Sequence, residues 1–220
     1  MIIVTARDEA ERIGATLEAL AAAFPRSHIV LADDGSRDST VDVAVRRGVE
    51  VVSAGTRRGK GQAASLGCAR ALELGGENAT YLLCDGDLGA SAALLTALSQ
   101  RVDGGEADMA IGVLEPSRRA GFGVLASFAR AAVRRSTGTR LQGPLSGQRA
   151  LNDRTLRQTL PFSRGFGMEL AMTIDALRAG ARVLESQLAL EHRWTDRRLA
   201  GFRHRAGQFR ACLAVYLRRL

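Results

Sequence analysis

Lysine is nearly absent from this chain: of its 31 basic residues, only Lys60 is not arginine. Cysteine is scarce as well. Cys68, Cys84 and Cys212 lie far apart and share no metal-ligand spacing. This argues against a disulfide scaffold or a zinc ribbon and fits reduced, buried thiols in a cytosolic protein. No run reaches the ~18 consecutive apolar residues of a membrane span. The N-terminus, MIIVTARDEAE, carries no basic leader and meets carboxylates by residue 8, so it reads as a first strand and not as a signal peptide. Aromatics are only 5%. A net charge of +8 suits nucleic acid, an anionic membrane surface or a phosphorylated substrate. With so few rings to stack bases, nucleic acid ranks last and is expected not to be a partner. An Arg- and Ala-rich composition is first a compositional bias, which makes the single lysine worth locating.

What is present is a 220-residue chain, 46% hydrophobic and 25% charged, the profile of one soluble globular domain. Its first half alternates short apolar runs with helical patterns. IIVTA (2–6), HIVLA (28–32), VEVVSA (49–54), TYLLC (80–84) and DMAIGVL (108–114) read as strands. Between them, 9–24, a stretch near 38–47, 59–74 and 91–102 read as helices. This alternation predicts an α/β fold with a mostly parallel sheet covered on both faces. Such sheets bind ligands at the carboxyl ends of their strands, and the polar clusters fall there: Arg7-Asp8-Glu9, Asp33-Asp34-Gly35-Ser36 and Asp85-Gly86-Asp87. The second half is less regular. It offers a basic amphipathic helix over 120–136, a Gly/Pro-punctuated loop over 138–151 leading to a short element, a helix over 165–180, a strand over 181–192 and a last helix over roughly 197–219.

Two carboxylates at the end of an apolar strand repel each other and resist desolvation. Asp85 and Asp87 can share a hard divalent cation, Mg²⁺ or Mn²⁺, together with the oxygens of a diphosphate. Alone, D-x-D reads first as an acidic turn with Gly86 at positive φ, and its place on the sheet and its companions favour the cation. In ADDGSRDST, Asp38 or Ser39 can cap the next helix. The strand-end pair Asp33-Asp34 is placed to accept a pyrimidine N–H or ribose hydroxyls. RRGKGQA sets Lys60 between glycines at a helix N-terminus, a phosphate-attracting position without Walker A spacing. In the second half, His192 follows a strand beside Arg193, and either packs structurally or ligates Mn²⁺. Glu169 lies in the first turn of an apolar helix, where the helix dipole alone would favour it. Arg118, Arg119, Arg134, Arg135 and Arg140 either solvate a helix and loop or grip an acceptor phosphate.

The order TARDEAERI, LADDGSRDST, RRGKGQA, LLCDGDLG resembles the family 2 glycosyltransferases of GT-A fold over residues 2–115. The usual N-E pair is here Asp8-Glu9. The resemblance implies nucleoside contacts at Glu9 and Asp33 and a nucleotide-sugar site that includes Ala6, Lys60, Asp85 and Gly86. It implies a metal on Asp87, which would then act in catalysis. PLSGQRAL, LPFSRGFGMELAMTIDALRAG and LEHRWTDRRL are similar to glucosyl-3-phosphoglycerate synthases. That similarity implies His192 as a further metal ligand, Glu169 at the acceptor or sugar site and as the base candidate, and acceptor contacts at Arg193, Gly147 and Arg140. ARAAVRRSTGTRLQGPLSGQRAL also resembles polyprenyl-phosphate sugar transferases, whose acceptor is a lipid phosphate.

The resulting expectation is a metal-dependent glycosyltransferase moving a sugar from a nucleoside diphosphate, UDP in the first instance, to a phosphorylated small acceptor. The alternative acceptor is a polyprenyl phosphate. A nucleotidyltransferase ranks low, since no G-x-G-x-R loop follows the first strand, and the intact acidic motifs argue against a non-catalytic module. Residues 1–195 would form the transferase domain, 1–115 its nucleotide half and 116–195 its acceptor half. The helix over 196–220 carries Leu199, Phe202, Phe209, Leu213, Tyr216 and Leu220 on one seam flanked by arginines. It is expected to dock on the body, to pair in a homodimer, or to lie on the inner face of the membrane. The expected location is cytoplasmic.

Overall fold

The computed structural model describes residues 1–53, 55–76, 78–114, 123–191 and 199–219, leaving aside the side chains of Phe166 and 199–206. Among the described residues seven strands form one sheet: β1 (Ile2–Ala6), β2 (Ile29–Asp33), β3 (Glu50–Ser53), β4 (Thr80–Asp85), β5 (Met109–Leu114), β6 (Arg149–Asn152) and β7 (Val183–Leu188). The helices are α1 (Ile13–Ala23), α2 (Thr40–Val45), α3 (Lys60–Leu74), α4 (Thr96–Asp103), α5 (Gly123–Thr137), α6 (Asp153–Thr159), α7 (Met168–Arg178) and α8 (Leu199–Leu217). The spatial order is β3-β2-β1-β4-β6-β5-β7. β1, β2, β3 and β4 run parallel, as do β5 and β7, while β6 is antiparallel to both its neighbours.

Strand residues alternate between the two faces, as the pleat requires. Ile3, Leu83 and Ile111 pack with α3, α5 and α7 in one core. Ile2, Val4, Leu82 and Ala110 pack with α1 and α4 in the other. The expected mostly parallel α/β sheet with helices on both faces is therefore present. Some boundaries differ from the periodicity. The first helix starts at Ile13 rather than 9, because Asp8 sits at φ 54° and the amides of Asp8, Glu9 and Ala10 are taken by the side chains of Ser36, Thr40 and Asp38, in the loop after β2 and at the start of α2. Asp38 also accepts the Thr40 amide at 3.0 Å, so it, and not Ser39, caps α2. The helix expected over 91–102 opens as a 3₁₀ turn, Gly89–Leu95. The last strand stops at Leu188.

The short element after the Gly/Pro loop is β6, and its reversed direction follows from its approach. The chain crosses the carboxyl edge of the sheet through 141–148 and then descends between β4 and β5. That path lays Gly147 and Gln148 beside the end of β4. At the opposite edge Asp108 binds three strands together. It accepts from Arg182 N at 2.8 Å, Arg182 Nε at 3.0 Å and Asn152 Nδ2 at 3.0 Å. The Arg182 hydrogen bonds hold the Asp108 carboxyl below its ordinary value. A depressed folded-state value means stability that is present above the unfolded value near 4 and lost as pH falls through the lower folded one. Asp108→Asn is therefore expected to lower the melting temperature at pH 7, with the gap to wild type closing below about pH 4. Thermal melts across that range check it.

α8 docks on the body through its second half. Cys212 and Val215 are buried, Phe128 of α5 meets Phe209 and Tyr216 at 5.0 and 5.8 Å, and Arg219 pairs with Asp175 of α7 at 2.6 Å. Among the described residues no helix is long and apolar enough to cross a membrane.

Candidate active site

A cleft of about 1030 Å³ opens at the carboxyl ends of β1, β2 and β4, the edge that the sequence pattern singles out. Ala6, Glu9, Asp34, Lys60, Asp85, Gly86, Asp87, Gly147 and Glu169 all line it. Its walls are completed by α5 and α8, with Leu125, Ala126, Arg130, Gln208 and Cys212.

At its centre the Lys60 ammonium bridges Asp85 Oδ1 at 2.6 Å and Glu169 Oε1 at 2.9 Å. Three elements converge to make this contact: the N-terminus of α3, the end of β4 and the first turn of α7. Burial alone would pull the ammonium down, but Asp85 and then Glu169 outweigh it and hold it above the ordinary lysine value. Asp85 takes further donors from Thr5 Oγ1 at 3.2 Å and Gln148 Nε2 at 2.7 Å, while its own amide donates to Gln148 Oε1 at 3.0 Å. Gly147 roofs the pair. A Cβ there would stand 2.6 Å from Lys60 Nζ and 2.9 Å from Asp85 Oδ2, so this close approach is what the glycine permits.

Glycine recurs where α3 enters the site. A Cβ on Gly61 would lie 2.0 Å from the Ser163 carbonyl oxygen. Gly61→Ala gains about 1 kcal/mol in helix propensity, yet overpacking against a backbone carbonyl costs about 1–3 kcal/mol. The expected outcome is a net loss of stability in denaturant melts, with α3 and Lys60 displaced from Glu169.

Asp87 occupies a different environment from Asp85. It is 6% exposed and faces the cleft, and its carbonyl accepts Arg12 Nη1 at 2.9 Å. Thr16 of α1 steadies the same turn, donating to the Gly86 carbonyl and accepting from the Gly89 amide. Gly86 is not in the left-handed region. Its glycine is required by proximity, since a Cβ would come within 2.9 Å of the Ala6 Cβ. The acidic-turn reading with positive φ at this position is corrected accordingly. Among the described residues no group of three or more His, Cys, Asp or Glu is arranged around a common metal position.

The two strand-end aspartates of β2 divide their work. Asp33, 2% exposed, accepts the Gly35 and Ser36 amides and the Ser53 hydroxyl, so it shapes the β2 turn and ties it to β3. Asp34 accepts the amides of Arg58 and Gly59 at 2.8 and 2.7 Å and thereby sets the entry to α3. That function was not read from the sequence, although D-D-G and R-R-G-K stand 24 residues apart in each other's reach. Arg140 is exposed and does not line the cleft, and Arg134 and Arg135 are exposed in the last turn of α5. The described arginines that do line it are Arg7, Arg57 and Arg130. His192, Arg193, Arg118 and Arg119 lie outside the described residues. Burial pushes the Cys212 thiol up to about 11 and raises Cys68 and Cys84 further. All three cysteines are buried and outside any disulfide, as expected.

The sequence model of the family described as "Glycosyl transferase family 2" matches residues 1–142. No curated protein sequence matches the chain. Solved structures of glucosyl-3-phosphoglycerate synthase from Mycobacterium tuberculosis are similar to it. The complex with Mn²⁺, UDP-glucose and phosphoglyceric acid has a TM-score of 0.77 at 23% identity, covering 99% of this chain and 78% of that one. The complex with Mn²⁺, UDP and phosphoglyceric acid has a TM-score of 0.79 at 24% identity, covering 99% and 77%. The complex with Mg²⁺ and UDP has a TM-score of 0.79 at 23% identity, covering 99% and 78%. At this identity the likeness establishes the fold, which is the GT-A arrangement.

Proposed function

Because the chain belongs to glycosyl transferase family 2, we propose that it transfers a sugar from a nucleoside diphosphate, UDP in the first instance, to a phosphorylated small acceptor such as a phosphoglycerate-like acid. One observation carries this reading: a single cleft joins a nucleotide side, built from Ala6, Glu9, Asp34 and Asp87, to an acceptor side, built from α5, α7 and the 141–148 loop, with Lys60 bridging Asp85 and Glu169 between them. One of the synthase complexes named above carries UDP-glucose, Mn²⁺ and phosphoglyceric acid together, which supports this choice of donor and acceptor. Residues 1–115 then form the nucleotide half and 116–195 the acceptor half.

The residues present fit a hard divalent cation. Asp87 offers buried carboxylate oxygens at the cleft wall, the donor type that Mg²⁺ and Mn²⁺ accept alongside diphosphate oxygens and waters. Asp87 would hold the ion, with His192 as the second protein ligand. Bound there, it would offset the charge that develops on the diphosphate leaving group. The chain's own residues do the rest. Lys60 supplies fixed positive charge between the two halves. Asp33 and Asp34 hold the turns that shape the nucleoside end. Glu169 faces the acceptor, where an acceptor hydroxyl would need a base and a phosphate oxygen would not.

A second acceptor, a polyprenyl phosphate, is favoured by the apolar side chains Leu125, Ala126, Leu145 and Leu190 on the acceptor wall. The test is UDP release from UDP-glucose with Mn²⁺, comparing 3-phosphoglycerate with a detergent-dispersed polyprenyl phosphate. Stimulation by the first supports the main reading, stimulation by the second alone replaces the acceptor, and no nucleoside diphosphate release from any nucleotide sugar contradicts the activity.

A further inference from the structure

Arg149 opens β6 and is completely buried. Arginine is almost never buried to this degree without a paired carboxylate. Here the guanidinium is instead distributed over main-chain and hydroxyl oxygens. Nε donates to the Ser146 carbonyl at 2.8 Å, Nη2 to the Pro144 carbonyl at 2.8 Å, and Nη1 to Thr173 Oγ1 at 2.9 Å. Thr173 in turn donates to the carbonyl of Glu169, one turn back on α7, at 2.8 Å. Burial draws the guanidinium down to about 10, and the countercharges acting on it are Glu169 and Glu185, at a distance. Glu185 of β7 holds the other end of the same loop, accepting the amides of Gln142 and Gly143 at 2.7 Å each.

The loop 142–148 is therefore gripped at both ends by opposite charges acting through its backbone, and it carries Gly147 over Lys60 and Asp85 and Gln148 onto Asp85. We propose that Arg149 is a positioning residue: it locks the 144–148 loop to α7, so that the two groups facing Lys60, Asp85 and Glu169, keep one fixed separation. No part of Arg149 is open to a substrate, so it acts through the loop and α7. Its hydrogen bonds satisfy two carbonyls and a hydroxyl, groups that are costly to leave unpaired on burial, and the geometry around the reacting groups is what this polar network secures. This inference rests on the transferase reading for its kinetic arm only.

The experiment compares Arg149→Met, Arg149→Lys and wild type by amide hydrogen exchange and by steady-state donor turnover. In Arg149→Met the fold persists, the amides of Ser146 and Gln148 lose protection while those of β1 and β4 keep theirs, and kcat falls about 100-fold with the donor KM within about threefold, as for a misplacement of the order of 1 Å. Arg149→Lys keeps the charge but cannot reach the loop and α7 together, and it recovers only part of kcat. A merely structural role would lower the melting temperature and leave the kinetic constants of the folded enzyme and the selective loop protection unchanged; that result overturns the proposal. Should Arg149→Met not fold, Arg149→Lys decides by the same two readouts. Absence of donor turnover in wild type would count against the transferase reading, and the exchange experiment would still decide the role of Arg149.

Discussion

Replacing Lys60 by methionine is expected to remove about 3 kcal/mol of stability and nearly all turnover, although methionine is the more apolar residue. The reason is what remains. Asp85 and Glu169 both approach the Lys60 ammonium to within 3 Å, so its removal leaves two carboxylates facing each other in a confined site. Lys60 is 29% exposed and its partners less, so solvent screens the repulsion only in part. The folded state raises the Lys60 value. A raised value contributes stability that is fully present below the unfolded value near 10.4 and is lost as pH rises through the folded one. The stability gap between wild type and Lys60→Met should hold constant from neutral pH to about 10 and close only above it, as measured in urea titrations. Lys60→Arg is expected to fail as well. Gly147 roofs the ammonium at van der Waals range, and a planar guanidinium needs more room than a point charge.

Asp87→Ala is expected to lower turnover by about 10³-fold, the scale at which loss of one preorganised charge-stabilising group is felt in a desolvated site. It should leave the fold intact. The carboxylate of Asp87 faces the cleft, and the turn that carries it is held through main-chain atoms by Thr16 and Arg12. Asp85→Ala should show the reverse balance, losing stability together with turnover, because Asp85 anchors Lys60, Thr5 and Gln148 at once. Melting temperature plotted against kcat for the two variants separates the two roles within one D-x-D motif.

Much of this site was legible because its residues break the local pattern. An apolar strand that ends in Asp85-Gly86-Asp87 conflicts with burial unless something offsets the charge, and a single lysine among arginines stands out at a helix N-terminus. The parallel half of the sheet followed from the regular alternation of strand and helix. The reversed β6 did not, since four residues, RALN, carry no direction, and only the path of 141–148 over the sheet edge gives one. Arg149 was illegible for the opposite reason to Lys60. It is one arginine among many, and its residue type argues for the surface, while its burial depends on carbonyls of a loop whose course the sequence does not reveal. The seam of the last helix was visible, but its partner was not. Phe128, on a helix some eighty residues earlier, supplies the surface that Phe209 and Tyr216 meet.

The transferase assignment requires that this cleft bind a nucleoside diphosphate with a divalent ion at Asp87. Isothermal titration of UDP into wild type and Asp87→Ala, each with and without Mn²⁺, measures it. Tighter UDP binding with Mn²⁺ in wild type, and loss of that increment in a folded Asp87→Ala, is the predicted result. No UDP binding by wild type, or an Mn²⁺ increment that survives the substitution, would contradict it.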